Sequence, residues 1–268
     1  CRRRLRGPAA MKRWILAGAA LLLGLWIAEV ALDPPLPDLQ VALQPPGGTH
    51  VFGTDRLGRD VATLLLMAAG YDTRLACAAL FAASILGLLL AVFSVRSNHG
   101  IIDALIAFVA EGTRSFPSLV LVLLFAVVGI PPAAALIAWY WVPVWRLART
   151  ELATQAEQPY VLAARLTGQG LTTALWREAL PNAIPRVTPY LPALAADLLT
   201  VQVGLEFLGF GPPLEQPTLG AMLADALASG MSAPWTWLPA VGWLVLVVSL
   251  LARFEPLFRR RSSWLPVG

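Results

Sequence analysis

Charge is scarce in this chain of 268 residues, and scarcity of charge excludes a soluble protein first. Charged side chains make up 13% of it, where a soluble globule carries about a quarter. With 57% hydrophobic residues, an integral membrane protein is implied. Lysine occurs once, at Lys12, heading an apolar segment. The Gly-x-x-x-x-Gly-Lys-Ser/Thr loop that cradles nucleotide phosphates is therefore absent, and energy from ATP must come through another polypeptide. There are two cysteines, Cys1 among N-terminal arginines and Cys77 inside an apolar run, so a structural disulfide is not expected. The two histidines, His50 and His99, fall in loops. That leaves no metal-ligand cluster, and no histidine within the membrane for a serine or metalloprotease. No internal repeat is visible of the kind many secondary transporters carry.

Long apolar runs are what the chain does have. Residues 14–32 would make about 28 Å of helix, against a hydrocarbon core of roughly 30 Å. Further spans are expected at 74–95, at 101–130 with a bend near Pro117, and at 133–147, 190–205 and 235–251. This makes six transmembrane helices in an all-α integral membrane protein. The chain divides into a basic N-terminus (1–13), an extra N-terminal transmembrane helix (14–32), a loop rich in proline and glycine with an interfacial helix (33–73), a core of five transmembrane helices (74–254) and a tail (255–268). Arginines cluster in "CRRRLRG", "SVRSNHG", the 146–186 block and "RFEPLFRRR", whereas Asp33, Asp38, Glu206, Glu215 and Asp225 sit on the opposite side. This asymmetry places both termini and the block at 150–186 in the cytoplasm. Basic runs beside apolar spans reflect that orientation and not nucleic-acid binding.

The polar block "YVLAARLTGQGLTTALWREALPN" (160–182) predicts a short helix started by Pro159 and ended by a left-handed Gly168. A second helix over 171–180 should stop before Pro181. Such a pair makes a rigid knob suited to docking in a groove; on physical grounds alone an ordinary cytoplasmic loop with an interfacial helix accounts for it as well. Further along, Asp197, Gln202 and Glu206 interrupt the fifth span. A carboxylate in mid-span costs about 2.5–3.5 kcal/mol on insertion scales, so these side chains should face protein or a water-filled path. They are candidates for lining that path, with a hydrogen bond to a neighbouring helix as the alternative.

In "YVLAARLTG", nine residues, then "EALPN", the block resembles the EAA loop of bacterial ABC importer permeases. Ala163, Ala164, Gly168, Leu180 and Pro181 fall at matching positions, and Leu162 replaces the glutamate that names the motif. "FGTDRLGRDV" (52–61) resembles the signature of the dipeptide, oligopeptide and nickel permeases, C-type subunit, through Gly53, Thr54, Asp55, Gly58, Arg59 and Asp60. The residues themselves also read as a capped turn in which Asp55, Arg59 and Asp60 pair with one another. "EGTRSFPSL", "WVPVWRLAR" and "GLEFLGFGPPLEQPTLGAML" follow in the family's order. The sequence departs from the family pattern at Phe108, where arginine is common, at Asp197, where a small residue is usual, and in its reduced C-terminal tail.

The resemblance implies a type I ABC importer permease fold with a cytoplasmic EAA-type coupling-helix loop in a bacterial inner membrane. It implies four partners in kind: a second homologous permease, two ATP-binding subunits, an extracytoplasmic solute-binding protein, and membrane lipid. Tyr160, Leu162, Ala163, Ala164, Gly168, Leu180 and Pro181 would dock the ATPases. No cofactor, catalytic residue or metal is expected on this chain; ATP and magnesium are used by the partners. The solute would be a peptide, nickel or a metal chelate. A secondary transporter or channel working without ATP is the alternative.

Overall fold

The computed structural model describes residues 8–97, 100–213, 216–229 and 232–262, with side chains for 18, 20–97, 100–213, 216–229 and 232–252. The basic run at 1–7, His99, Glu215 and the last six residues of the tail lie outside the described residues. The chain is all-helical, and among the described residues the only β pairing is an isolated bridge between Thr54 and Asp60. Contacts divide it into two units, residues 1–75 with 206–243 and residues 76–205 with 244–268.

The first unit begins with α1 (Pro8–Ala31) and contains the start of α2 (Val61–Arg96). The helix expected from residue 74 thus starts at Val61, and the segment expected as an interfacial helix is its first turns. Nothing in "VATLLLMAAGYDT" breaks helix, and Asp60 caps it: its Oδ2 accepts from the Thr63 backbone N–H at 2.9 Å and from the Thr63 hydroxyl at 2.9 Å. α1 and α2 join through polar contacts. Trp26 Nε1 donates to Thr73 Oγ1 at 3.3 Å, and Arg74 grips Glu29 with Nε donating at 2.8 Å and Nη2 to the second oxygen. Gly70 admits this approach, because a Cβ there would stand 2.6 Å from the Leu25 carbonyl oxygen.

Between the spans expected at 190–205 and 235–251, a further helix, α10 (Leu219–Ala228), forms. Thr218 accepts from the Ala221 N–H as its N-cap, and the fully buried Asp72 carboxylate accepts from the Leu219 N–H at 2.9 Å. The second cap comes from a residue 147 positions away, so local reading could not supply it.

In the second unit, α3 (Ile101–Arg114) and α4 (Ser118–Val127) meet at 96°. Pro117 disfavours helix at Phe116, and the expected single bent span becomes two helices. α5 (Pro132–Ala156) carries Arg149, whose Nε donates to Asp103 of α3 at 2.7 Å, and Trp145, whose Nε1 donates to Ser94 at 3.0 Å. α6 (Pro159–Leu166) follows, and then one continuous helical run from Leu171. It comprises α7 (Leu171–Ala174), a π turn (Leu175–Ala179), α8 (Leu180–Val187), a 3₁₀ turn (Thr188–Tyr190) and α9 (Leu191–Phe207).

Pro181 therefore does not stop the helix, contrary to expectation. Its ring would strike the carbonyl four residues back, and the preceding turn opens to π geometry instead, with the Leu180 N–H reaching Leu175 O. Ala179, Leu180 and Ala183 are buried against Leu152, Val92 and Val161, which holds the widened turn in place.

α11 (Pro234–Ser262) is the last described element and extends the expected 235–251 span as continuous helix. Among the described residues two helices are by themselves long and apolar enough to cross a membrane, in Val61–Arg96 and Pro234–Ala252, with a third if α3 and α4 count as one broken span. Shorter apolar helices lie at Ala20–Ala31 and Leu219–Ala228.

Candidate functional site

In the 160–182 knob, α6 is held by one buried residue. Val161 is fully buried in the cluster of Leu152, Leu175, Ala179 and Leu180. With Val161 turned in, helical spacing turns Leu162, Ala163 and Leu166 out. All three are exposed, Leu166 at 89%. Leu162, Ala163 and Leu166 together make a bare apolar face, which marks a surface that something else covers. Tyr160 Oη donates to Gln155 Oε1 at 2.7 Å, tying α6 to the end of α5. Burial of the ring raises its phenol above the ordinary value.

The break between α6 and α7 is a full Schellman motif. Gly168 N–H donates to Arg165 O at 3.1 Å and Gln169 N–H to Ala164 O at 3.2 Å, with Gly168 at φ +98°. That dihedral requires glycine.

Of the seven predicted docking residues, Tyr160, Leu162, Ala163, Gly168 and Pro181 are exposed and Ala164 is half-buried. Leu180 faces the core. Leu166, together with Trp176 at 42% exposure, was missed as part of this surface, although the i, i+4 spacing of Leu162 and Leu166 carried the signal.

The 53–60 turn is a second constellation. Asp55 Oδ1 accepts from the backbone N–H groups of Leu57 at 2.9 Å and Arg59 at 2.8 Å, and its Oδ2 accepts from Arg59 Nε at 2.8 Å. Gly53 (φ +70°) and Gly58 (φ +75°) both take left-handed conformations, and Thr54 donates to the Val41 carbonyl. The expected three-way pairing is only half present. Asp55 and Arg59 pair, but Asp60 turns to Thr63 and to His50 Nδ1, at 3.0 Å. Burial alone would raise the Asp60 carboxyl; hydrogen bonds from Thr63 and His50, with the charge of His50, outweigh it and hold the group below the usual aspartate value. From this turn Arg56 and Arg59 reach Asp225 of α10, at 2.5 Å and 3.4 Å. Together with Glu206, Gly209, Pro212 and Gln216 they wall a cavity of about 370 Å³ inside the first unit.

Asp197, Gln202 and Glu206 are not brought together. Along α9 the second and third turn away from the first, and Gln202 and Glu206 are buried while Asp197 is exposed. Tyr140, itself fully buried, donates its hydroxyl to Asp197 Oδ2 at 2.7 Å. Half-buried or exposed with Asp197 on the same stripe are Ala193, Thr200 and Gly204. By contrast, the outward face of α2 shows Phe81, Ile85, Leu89 and Phe93.

Comparison with known proteins agrees with this architecture. The profile of the family described as "Binding-protein-dependent transport system inner membrane component" matches residues 83–262. The peptide transport system permease protein SapC of Salmonella typhimurium is 35% identical over 91% of this chain and 86% of its own length. The oligopeptide transport system permease protein OppC of Lactococcus lactis is 28% identical over 77% of this chain and 72% of its own. A crystal structure of an amino acid ABC transporter with histidines shares the fold, with a TM-score of 0.55 at 19% identity, over 75% of this chain and 94% of that one.

Proposed function

Because the chain belongs to the family of binding-protein-dependent transport system inner membrane components, and is a permease subunit of an ABC importer, we propose that its 160–182 knob is the joint through which ATP-driven motion reaches the membrane helices. In this reading two different permease chains pair, two ATP-binding subunits dock beneath them, and an extracytoplasmic binding protein delivers the solute. Nucleotide and magnesium act on the ATP-binding subunits. Six spans place both termini and the knob in the cytoplasm, where the arginines concentrate. The relatives named as peptide and oligopeptide permeases favour peptides over nickel or metal chelates as cargo.

The observation that carries this reading is the bare apolar face of α6, held rigid by the Schellman turn and by buried Val161. A carrier working without ATP has no use for such a face. We also assign the Asp197 stripe to the translocation path, since a charge exposed in mid-span is costly against lipid while its small neighbours Ala193, Thr200 and Gly204 leave room for water.

The test is co-purification of the tagged chain from its native membrane, wild type beside Gly168→Asp. ATP-binding subunits and a second permease should accompany the wild type, and the ATP-binding subunits should be lost from the variant. Wild type emerging alone in gentle detergent would move the ATP-independent carrier ahead.

A further inference from the structure

From the cavity of the first unit, we infer that this chain carries its own binding site for the two charged ends of a short peptide, separate from the α9 stripe. The inference rests on the peptide-importer reading, which assigns this cavity to the extracytoplasmic side.

The cavity's volume of about 370 Å³ falls in the range of small-molecule sites, about 300–1,000 Å³. Its walls are partly apolar, from Pro212, Val61 and Met222, and the polar groups among them are of opposite kinds. Arg59 is committed: it serves Asp55 through Nε and Nη2 and also reaches Asp225. Arg56 is engaged at one end: its Nη2 pairs with Asp225 at 2.5 Å while its side chain stays 46% exposed, and a guanidinium has five N–H donors, so others remain to take a second carboxylate. Gln216 adds a second donor, its side-chain amide nitrogen being buried with no hydrogen-bond partner among the described residues. An amide N–H buried in this way needs an acceptor. Glu206 lines the same cavity and is only 4% exposed, offering a carboxylate in a poorly hydrated place. Donors suited to a carboxylate and a carboxylate suited to an ammonium are what a zwitterion requires. A short peptide entering the cavity would set its C-terminal carboxylate on Arg56 and Gln216 and its N-terminal ammonium on Glu206.

Calorimetric titration of the whole permease–ATPase complex in nanodiscs, without the binding protein, tests this with three probes: trialanine, trialanine amide and N-acetyl-trialanine. Wild type should bind trialanine about tenfold more tightly than either blocked peptide, the worth of one charge-assisted contact. Arg56→Gln should erase the preference over the amide and keep the preference over the acetylated peptide. Glu206→Gln should do the reverse. Arg56 is exposed enough that its variant should fold, so that arm decides alone if Glu206→Gln does not. Equal binding of all three probes, no binding of trialanine into the millimolar range, or variants that weaken all three alike would overturn the site. ATP-driven peptide uptake by the same wild-type complex reconstituted into proteoliposomes, with binding protein added, separates the two readings. Uptake without end-group preference sinks only the cavity site, whereas no uptake sinks the importer reading beneath it.

Discussion

The junction of α1 with α2 is a sharp place to test the energetics, because three features converge on it. Glu29 is buried, with 6% of its side chain exposed, and its carboxylate is gripped at both oxygens by Arg74. Replacing Arg74 by Gln leaves that carboxylate in an apolar helix without its counter-charge. Breaking a buried pair from one side costs about 3–5 kcal/mol. Half of the Arg74 side chain is exposed, which screens the pair, so about 2–3 kcal/mol is the expected loss. For a protein of this size that lowers the melting temperature by roughly 4–12 °C. Glu29→Gln strands no buried charge and should cost less. The double variant should recover part of the Arg74→Gln loss, with a coupling of about 1–2 kcal/mol. Gly70→Leu should separate the helices sterically, since even a Cβ there meets Glu29 Cβ at 2.7 Å. Thermal unfolding of purified protein in one detergent, read by tryptophan fluorescence, measures all four. Additive single losses, or an unchanged melting point for Arg74→Gln, would refute the reasoning.

Other expectations follow from the sites described. Leu166→Glu should change thermal stability by less than about 0.5 kcal/mol, as an exposed substitution, yet strip the ATP-binding subunits on co-purification. Asp60→Ala should cost about 1 kcal/mol through loss of the α2 cap. The Asp60 carboxyl is held below its unfolded value, so the gap between wild type and variant should be full above about pH 4 and close as pH falls through the lower, folded value. Melting curves between neutral and acid pH check this. Asp197→Asn should preserve the Tyr140 hydrogen bond and reduce uptake for at least one class of peptide; unchanged uptake for every peptide offered would remove Asp197 from the path.

Several elements were legible because their causes are local. Pro159 followed by Gly168 at the right distance marks α6 and its left-handed exit, since one residue presets φ and the other tolerates a positive one. The capped turn at 53–60 was readable in part for the same reason, with Asp55 bonding to backbone two and four residues on. What failed were readings that stopped at a proline or missed a helix. Pro181 sits in continuous helix because neighbouring helices pack around a widened turn, and α10 has, besides its local cap Thr218, a second cap from distant Asp72.

Composition and local pattern alone determined a membrane-embedded helical chain, with its arginine-rich segments, a knob set off by proline and glycine, and no nucleotide loop. These depend on residue type and on spacings within one turn of helix. Only the tertiary structure decided which side of the knob is bare, that Asp197 parts from Gln202 and Glu206, and that Arg56, Gln216 and Glu206 share one cavity. Such outcomes depend on which faces neighbouring helices bury, and burial is settled by contacts between residues far apart in the chain.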